Sequence, residues 1–139
     1  MADRELMPYI RCIIQEVLRW QPPLPLGVPH ATAADDEYRG YFIPKGSIVM
    51  ANSWAMSRDE SMYKSPESFD PERFVGADTP STHAFGFGRR SCPGNHYAEA
   101  SLFILIASIL AVFDIKPKIN PVTGHEEMPE GKVAVHALV

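Results

Sequence analysis

The run Ala100–Phe113 constrains this chain more than any other feature. It carries no charge between Glu99 and Asp114, and from Leu102 to Val112 apolar residues fall on nearly every face of a helix. A helix built that way has no side to turn to water, so it is expected to be buried all round. It is shorter than the roughly 20 residues needed to cross a bilayer, which makes a core helix the better reading. Pro93 suits the first turn, so the helix is expected over 93–113. The rest of the chain offers few partners for it. A second helix is expected over 8–20, opening on Pro8, striped by Ile10, Ile13, Ile14, Val17 and Leu18, and ended by Gln21-Pro22-Pro23. One such helix cannot enclose the other, so the 139 residues read as a piece of a larger fold.

The remaining segments are short and punctuated. Thirteen prolines cluster at 22–29 and recur through the chain with apolar residues between them, a pattern of turns and extended connections rather than disorder. Residues 22–52 read as strands, with a hairpin over Tyr38–Ile43, turn chemistry at Pro44-Lys45-Gly46 and a strand over Ser47–Asn52. A short helix is expected near Trp54. Residues 64–91 form a long stretch with little periodicity, and irregular loops of that length in a compact domain are often functional. Strands are expected over Ile115–Ile119 and Val133–Val139, with polar, turn-rich residues at 120–132 between them. The fold class is therefore mainly α with small β elements (α+β). A net charge of −4 argues against a nucleic-acid partner. Cys12 and Cys92 allow at most one disulfide, and no secretory leader pattern opens the chain.

The chemistry concentrates in Phe85-Gly86-Phe87-Gly88-Arg89-Arg90-Ser91-Cys92-Pro93-Gly94. Glycines let the backbone turn tightly and approach a flat ligand closely. Cys92 stands at the start of a helix, where unpaired N–H groups favour a negatively charged sulfur, and two arginines add to that field. A sulfur ligand so placed suits a soft or borderline metal. Arg90 is suited to pairing with a carboxylate. A second feature is Glu16-Val17-Leu18-Arg19, an i, i+3 pair opposite the apolar stripe. By itself it reads as a solvated ion pair worth under about 1 kcal/mol. Other chemistries fit poorly. Cys92 and His96 have a spacing that suits zinc, but Cys12 lies on a distant helix and further ligands would have to come from elsewhere. Gly86-Phe87-Gly88 has no following lysine for a phosphate loop, no hydrolase elbow is present, and His83 with Asp78 or Ser81 is plain polar loop composition.

The glycine-rich segment resembles the haem-binding signature of cytochromes P450, Phe-x-x-Gly-x-Arg-x-Cys-x-Gly, at Phe85, Gly88, Arg90, Cys92 and Gly94. Glu16-Val17-Leu18-Arg19 resembles the family's K-helix Glu-x-x-Arg, and Pro71-Glu72-Arg73-Phe74 its Pro-Glu-Arg-Phe motif, in the family's order. The resemblance spans roughly residues 5–125 and has the flavour of fungal microsomal members. It implies the C-terminal part of the P450 fold, incomplete: a K-like helix at 8–20, strands at 22–52, a meander and haem loop at 64–91, and an L-like helix at 93–113. It implies haem b (iron protoporphyrin IX) with Cys92 as axial ligand and metal site, Phe85 beside the sulfur, and Arg90 and His30 on the propionates. Gly88 and Gly94 complete the cofactor loop, and Glu16, Arg19 and Arg73 form a buried structural network that orders the meander.

The implied activity is that of a haem-thiolate monooxygenase acting on a small apolar organic substrate. Leu24–Pro29 would border the pocket, electrons would come from NADPH-cytochrome P450 reductase, and the intact parent would sit on the cytosolic face of the endoplasmic reticulum through an N-terminal anchor. The sequence departs from the family in having no counterpart of the oxygen-activating Ala-Gly-x-Asp/Glu-Thr helix and no anchor, and Val133–Val139 does not resemble the family's terminal hairpin. The alternative is a non-catalytic haem-binding piece or an inert remnant; a third is an interaction module in which Cys92 is merely structural. Poor solubility and weak haem retention are expected of the chain alone.

Overall fold

A computed structural model describes residues 3–76 and 79–127. It separates into two compact units, one reaching Ala107 and one beginning at Ser108. The elements run α1 (Asp3–Leu6), α2 (Pro8–Trp20), β1 (His30–Ala31), β2 (Asp36–Tyr38), β3 (Tyr41–Ile43), β4 (Ile48–Val49), α3 (Ser53–Met56), α4 (Asn95–Val112), β5 (Lys118–Ile119) and β6 (Glu126–Glu127). Two 3₁₀ turns, Pro71–Phe74 and Gly88–Arg90, interrupt the irregular stretch before α4.

In the first unit α2 is the organising element. Pro8 occupies its first turn, where the missing N–H is no loss, and the Gln21 N–H closes its end on the Val17 carbonyl at 3.0 Å. Two of its faces are buried, and they point in opposite directions. Ile10, Ile14 and Leu18 pack against Phe103 of α4, with Ala84, Phe85, Leu102, Ile106 and Ala107 around them. Cys12, Glu16 and Arg19 form the other buried face. Val17 of the expected stripe is 38% exposed and Ile13 is only half-buried, because that flank lies between the two packed faces.

Phe103 is the buried side chain of α4. Truncation to alanine, Phe103→Ala, is expected to cost about 3–5 kcal/mol through lost transfer energy and the cavity left behind. Chemical denaturation followed by helix signal checks this; a loss under about 1 kcal/mol would show that α4 is not anchored on α2.

Leu102–Val112 is not buried on all sides, as expected of an all-apolar helix in a chain that offers it few packing partners. Ile104 is 64% and Leu105 55% exposed, because among the described residues of this unit only α2 and the segment at 84–85 form the apolar cluster that α4 joins. The start of the helix is also corrected, from Pro93 to Asn95. The Ala98 N–H bonds the Gly94 carbonyl at 2.9 Å, so Gly94 serves as the cap and Cys92 and Pro93 belong to the preceding turn.

Residues 30–49 form two antiparallel pairs. β2 and β3 register Tyr38 with Tyr41 across Arg39-Gly40, whose φ values of 52° and 82° make the left-handed two-residue turn that suits a twisted hairpin. β1 pairs with β4, His30 opposite Val49. Thr32 binds the two connections together: its N–H reaches the Ser47 carbonyl and its hydroxyl the Pro44 carbonyl. Asn52 caps α3 by accepting from the Ala55 N–H.

In the second unit, Lys118–Ile119 pairs antiparallel with Glu126–Glu127. The second of these strands falls where only turn-rich polar chain is expected. Asn120 explains it, since its side-chain oxygen accepts from the Val122 and Thr123 N–H groups and closes the connecting turn. The strand expected over Val133–Val139 lies outside the described residues.

Candidate functional site

Two constellations emerge in the first unit, one buried and one open. The buried one centres on Glu16, which is fully excluded from solvent together with Arg19. The two make a bidentate pair, Arg19 Nε donating to Glu16 Oε2 and Nη2 to Oε1, both at 2.7 Å. Arg73, carried on the Pro71–Phe74 turn, stands 3.1 Å from the same carboxylate, and the Asp70 N–H donates to it at 2.7 Å. The structure therefore brings Glu16, Arg19 and Arg73 together. The solvated-pair reading of Glu16 and Arg19 fails because residues 57–73 close over that side of α2.

The arginines also serve the irregular chain directly. Arg19 donates to the Ser57 and Ser68 carbonyls, and Arg73 to those of Lys64, Ser65 and Ser68. Ser65 sits at φ 49°, a left-handed position costly for a side-chain-bearing residue, and its carbonyl is one of those held. Tyr63, 1% exposed, lies under the Arg19 guanidinium at 5.5 Å. Burial pushes its phenol up from the ordinary value, partly opposed by the nearby Arg19 charge, so it stays neutral beside the ion cluster.

Arg58 is a residue that the sequence reading missed. Its guanidinium lies 3.1 Å over the Trp54 ring, donates to the Trp20 carbonyl at 3.0 Å and approaches Glu67 at 3.4 Å. Burial lowers its pKa, partly opposed by Glu67. The Trp54-x-x-x-Arg58 spacing was the available signal, an aromatic and a cation one helical turn apart.

The open constellation is the loop around Cys92. Thr82 is pinned to α2 through its N–H on Gln15 Oε1 at 3.3 Å, and Ala84 and Phe85 pack into the apolar cluster. The Cys92 N–H then bonds the Phe85 carbonyl at 2.8 Å, which closes a loop over 86–91. Gly86 at φ 80° and Gly88 at φ 52° provide its turns. Cys92 is a free, exposed thiol, whereas Cys12 is a free, buried one, so the two do not form the disulfide their number allows. Gly88, Arg90 and Gly94 are exposed as well, and Phe85 is half-buried behind them. A Cβ placed on Gly94 would stand 3.7 Å from the Cys92 sulfur, in contact with it. An exposed sulfur on a glycine-lined surface, rooted through Phe85 in the core, fits a flat metal-bearing macrocycle. His30 is exposed on β1, and among the described residues no hydrogen bond or ion pair joins it to residues 85–94.

Fold and loop together define a mainly α chain that presents one cysteine outward on a loop whose base packs against the apolar cluster. The family model for cytochrome P450 matches residues 1–137, and the chain belongs to that family. Among curated fungal relatives it is 48% identical to cytochrome P450 monooxygenase 176 of Postia placenta, over 93% of this chain and 26% of the relative. It is 49% identical to cytochrome P450 monooxygenase ple1 of Rhodocybe pseudopiperita, over 82% of this chain and 23% of that one. A solved zebrafish cytochrome P450 with abiraterone superposes with a TM-score of 0.73 at 34% identity, covering 79% of this chain and 27% of that structure. The chain thus spans about a quarter of the length of the relatives it matches.

Proposed function

We propose that this chain supplies the cysteine-ligand portion of a haem-dependent monooxygenase. One observation carries the reading: Cys92 stands exposed on a loop whose base is fixed by the Cys92–Phe85 backbone bond and by Phe85 in the core. Cys92 would ligate haem b, with Phe85 behind the sulfur and Gly88 and Gly94 keeping side chains away from the ring. Arg90 and His30 would hold the propionates by charge. Glu16, Arg19 and Arg73 order the chain that leads into the loop and take no part in chemistry. When bound, the haem supplies activation of dioxygen, one atom entering an organic substrate and the other leaving as water with two electrons and two protons. The electrons would come from NADPH-cytochrome P450 reductase. The apolar Leu24, Leu26 and Val28, all exposed, would border a pocket for a small apolar substrate. In a full-length protein the site would face the cytosol at the endoplasmic reticulum, held by an N-terminal anchor.

For the 139 residues by themselves, a haem-binding piece without turnover is the second reading, favoured because no helical stretch of their sequence resembles the oxygen-activating Ala-Gly-x-Asp/Glu-Thr helix.

The test is to add haemin to the purified chain, reduce it, add carbon monoxide and record the Soret band. A strongly red-shifted, thiolate-type band is the expected result; no uptake of haemin sinks the proposal for this chain. Arg90→Ala is expected to weaken haemin binding by about tenfold, the loss of one charge-assisted contact of about 1.5 kcal/mol. A titration with the same midpoint as the unsubstituted chain would remove Arg90 from the site.

A further inference from the structure

We infer that His83 is a positioning residue for the Cys92 loop, acting through a ring stack on Phe87. The importance of that loop for a haem rests on the function proposed above; the positioning itself does not.

Residues 86–91 are all exposed, and their N–H groups bond backbone carbonyls: Gly86 N–H that of His83, Arg90 N–H that of Phe87 and Ser91 N–H that of Gly88. Glycines in left-handed conformation stand on both sides of Phe87, so the backbone alone leaves this hinge-like stretch easily deformed. Phe87 is 43% exposed, yet its ring lies 5.0 Å from that of His83 with an interplanar angle of 30°. That is a stacked aromatic contact between the loop and the chain that leads into it.

His83 is itself well anchored. It is half-buried and lines a narrow cleft with Leu18, Arg19 and Tyr63, beside the ion cluster. Its neighbour Thr82 is hydrogen-bonded to Gln15 of α2, and its other neighbour Ala84 packs into the apolar cluster. The stack therefore transmits a fixed position from α2 to the exposed half of the loop. Phe87 passes it on through its carbonyl, which accepts from Arg90 N–H, and so sets the turn Gly88–Arg90 that leads to Cys92.

The test compares His83→Ala, which removes the ring, with His83→Phe, which keeps a stacking ring. Both retain the backbone carbonyl that receives the Gly86 N–H. Amide hydrogen exchange is read on the full chain, separately for peptides covering 84–93 and 8–20. His83→Ala is expected to speed exchange at 84–93 by about 2- to 10-fold, the population shift that loss of one aromatic pair allows. His83→Phe should restore the original rate, and α2 should be unaffected in both. Unchanged exchange in His83→Ala overturns the inference. So does equal acceleration in the two variants. Acceleration of α2 in step with the loop also overturns it, because His83 would then act on stability at large. Haemin titration of the unsubstituted chain tests the haem reading on its own. Failure there with the exchange pattern intact removes the haem and leaves the positioning role standing.

Discussion

Glu16→Ala is expected to destabilise the first unit by about 3–5 kcal/mol, the cost of removing one partner from a buried ion cluster. The magnitude follows from what remains. Arg19, fully buried, and Arg73, with 6% of its side chain exposed, would face each other with no counter-charge. The Asp70 N–H would lose its acceptor as well. Domains of this size are stable by only about 5–15 kcal/mol, so a large fraction of the total is at stake. Glu16→Gln keeps an acceptor and removes the charge, and its effect should be smaller. Urea unfolding measured by circular dichroism gives both values. A loss under about 1 kcal/mol in Glu16→Ala would mean that the cluster is solvated and that the long loop is ordered by other contacts.

Cys92→Ala is expected to abolish the thiolate-type carbon monoxide band completely while leaving the fold in place. The side chain is exposed and its structural contribution runs through the backbone N–H on Phe85, which alanine retains. Spectrum and stability should therefore separate: the red-shifted band disappears, and the unfolding free energy stays within about 0.5 kcal/mol of that of the unsubstituted chain. Cys12→Ala is the contrast, buried and expected to cost stability without removing the band. A thiolate band that survives Cys92→Ala would exclude this sulfur as the ligand.

Sequence alone reached α2 closely, because Pro8 and the Pro22-Pro23 break mark its ends in local chemistry. The three motifs that define the two constellations were also readable, being contiguous strings with fixed residue types. The burial of α2 on two opposite faces was not. A helical wheel treats charged residues as solvent-facing, and only the return of residues 57–73 over Glu16 and Arg19 reverses that. The start of α4 lies two residues later than Pro93 suggests, because the helical hydrogen bonds begin only with the Ala98 N–H on the Gly94 carbonyl. Contacts of Arg58, Tyr63 and His83 join residues far apart in the chain, or set a ring on a ring, and leave only faint local traces.

Both arginines of the buried cluster address main-chain carbonyls along residues 57–68. A carbonyl is common to all twenty residue types, so this recognition is blind to side-chain identity. The clamp specifies a path for the chain and leaves its lettering open. Variation should be tolerated freely at exposed positions such as Lys64 and Ser68 and hardly at all at the three clamp residues. A protein arranged in this way can diversify the covering of that face of α2 without rebuilding the ion cluster beneath it.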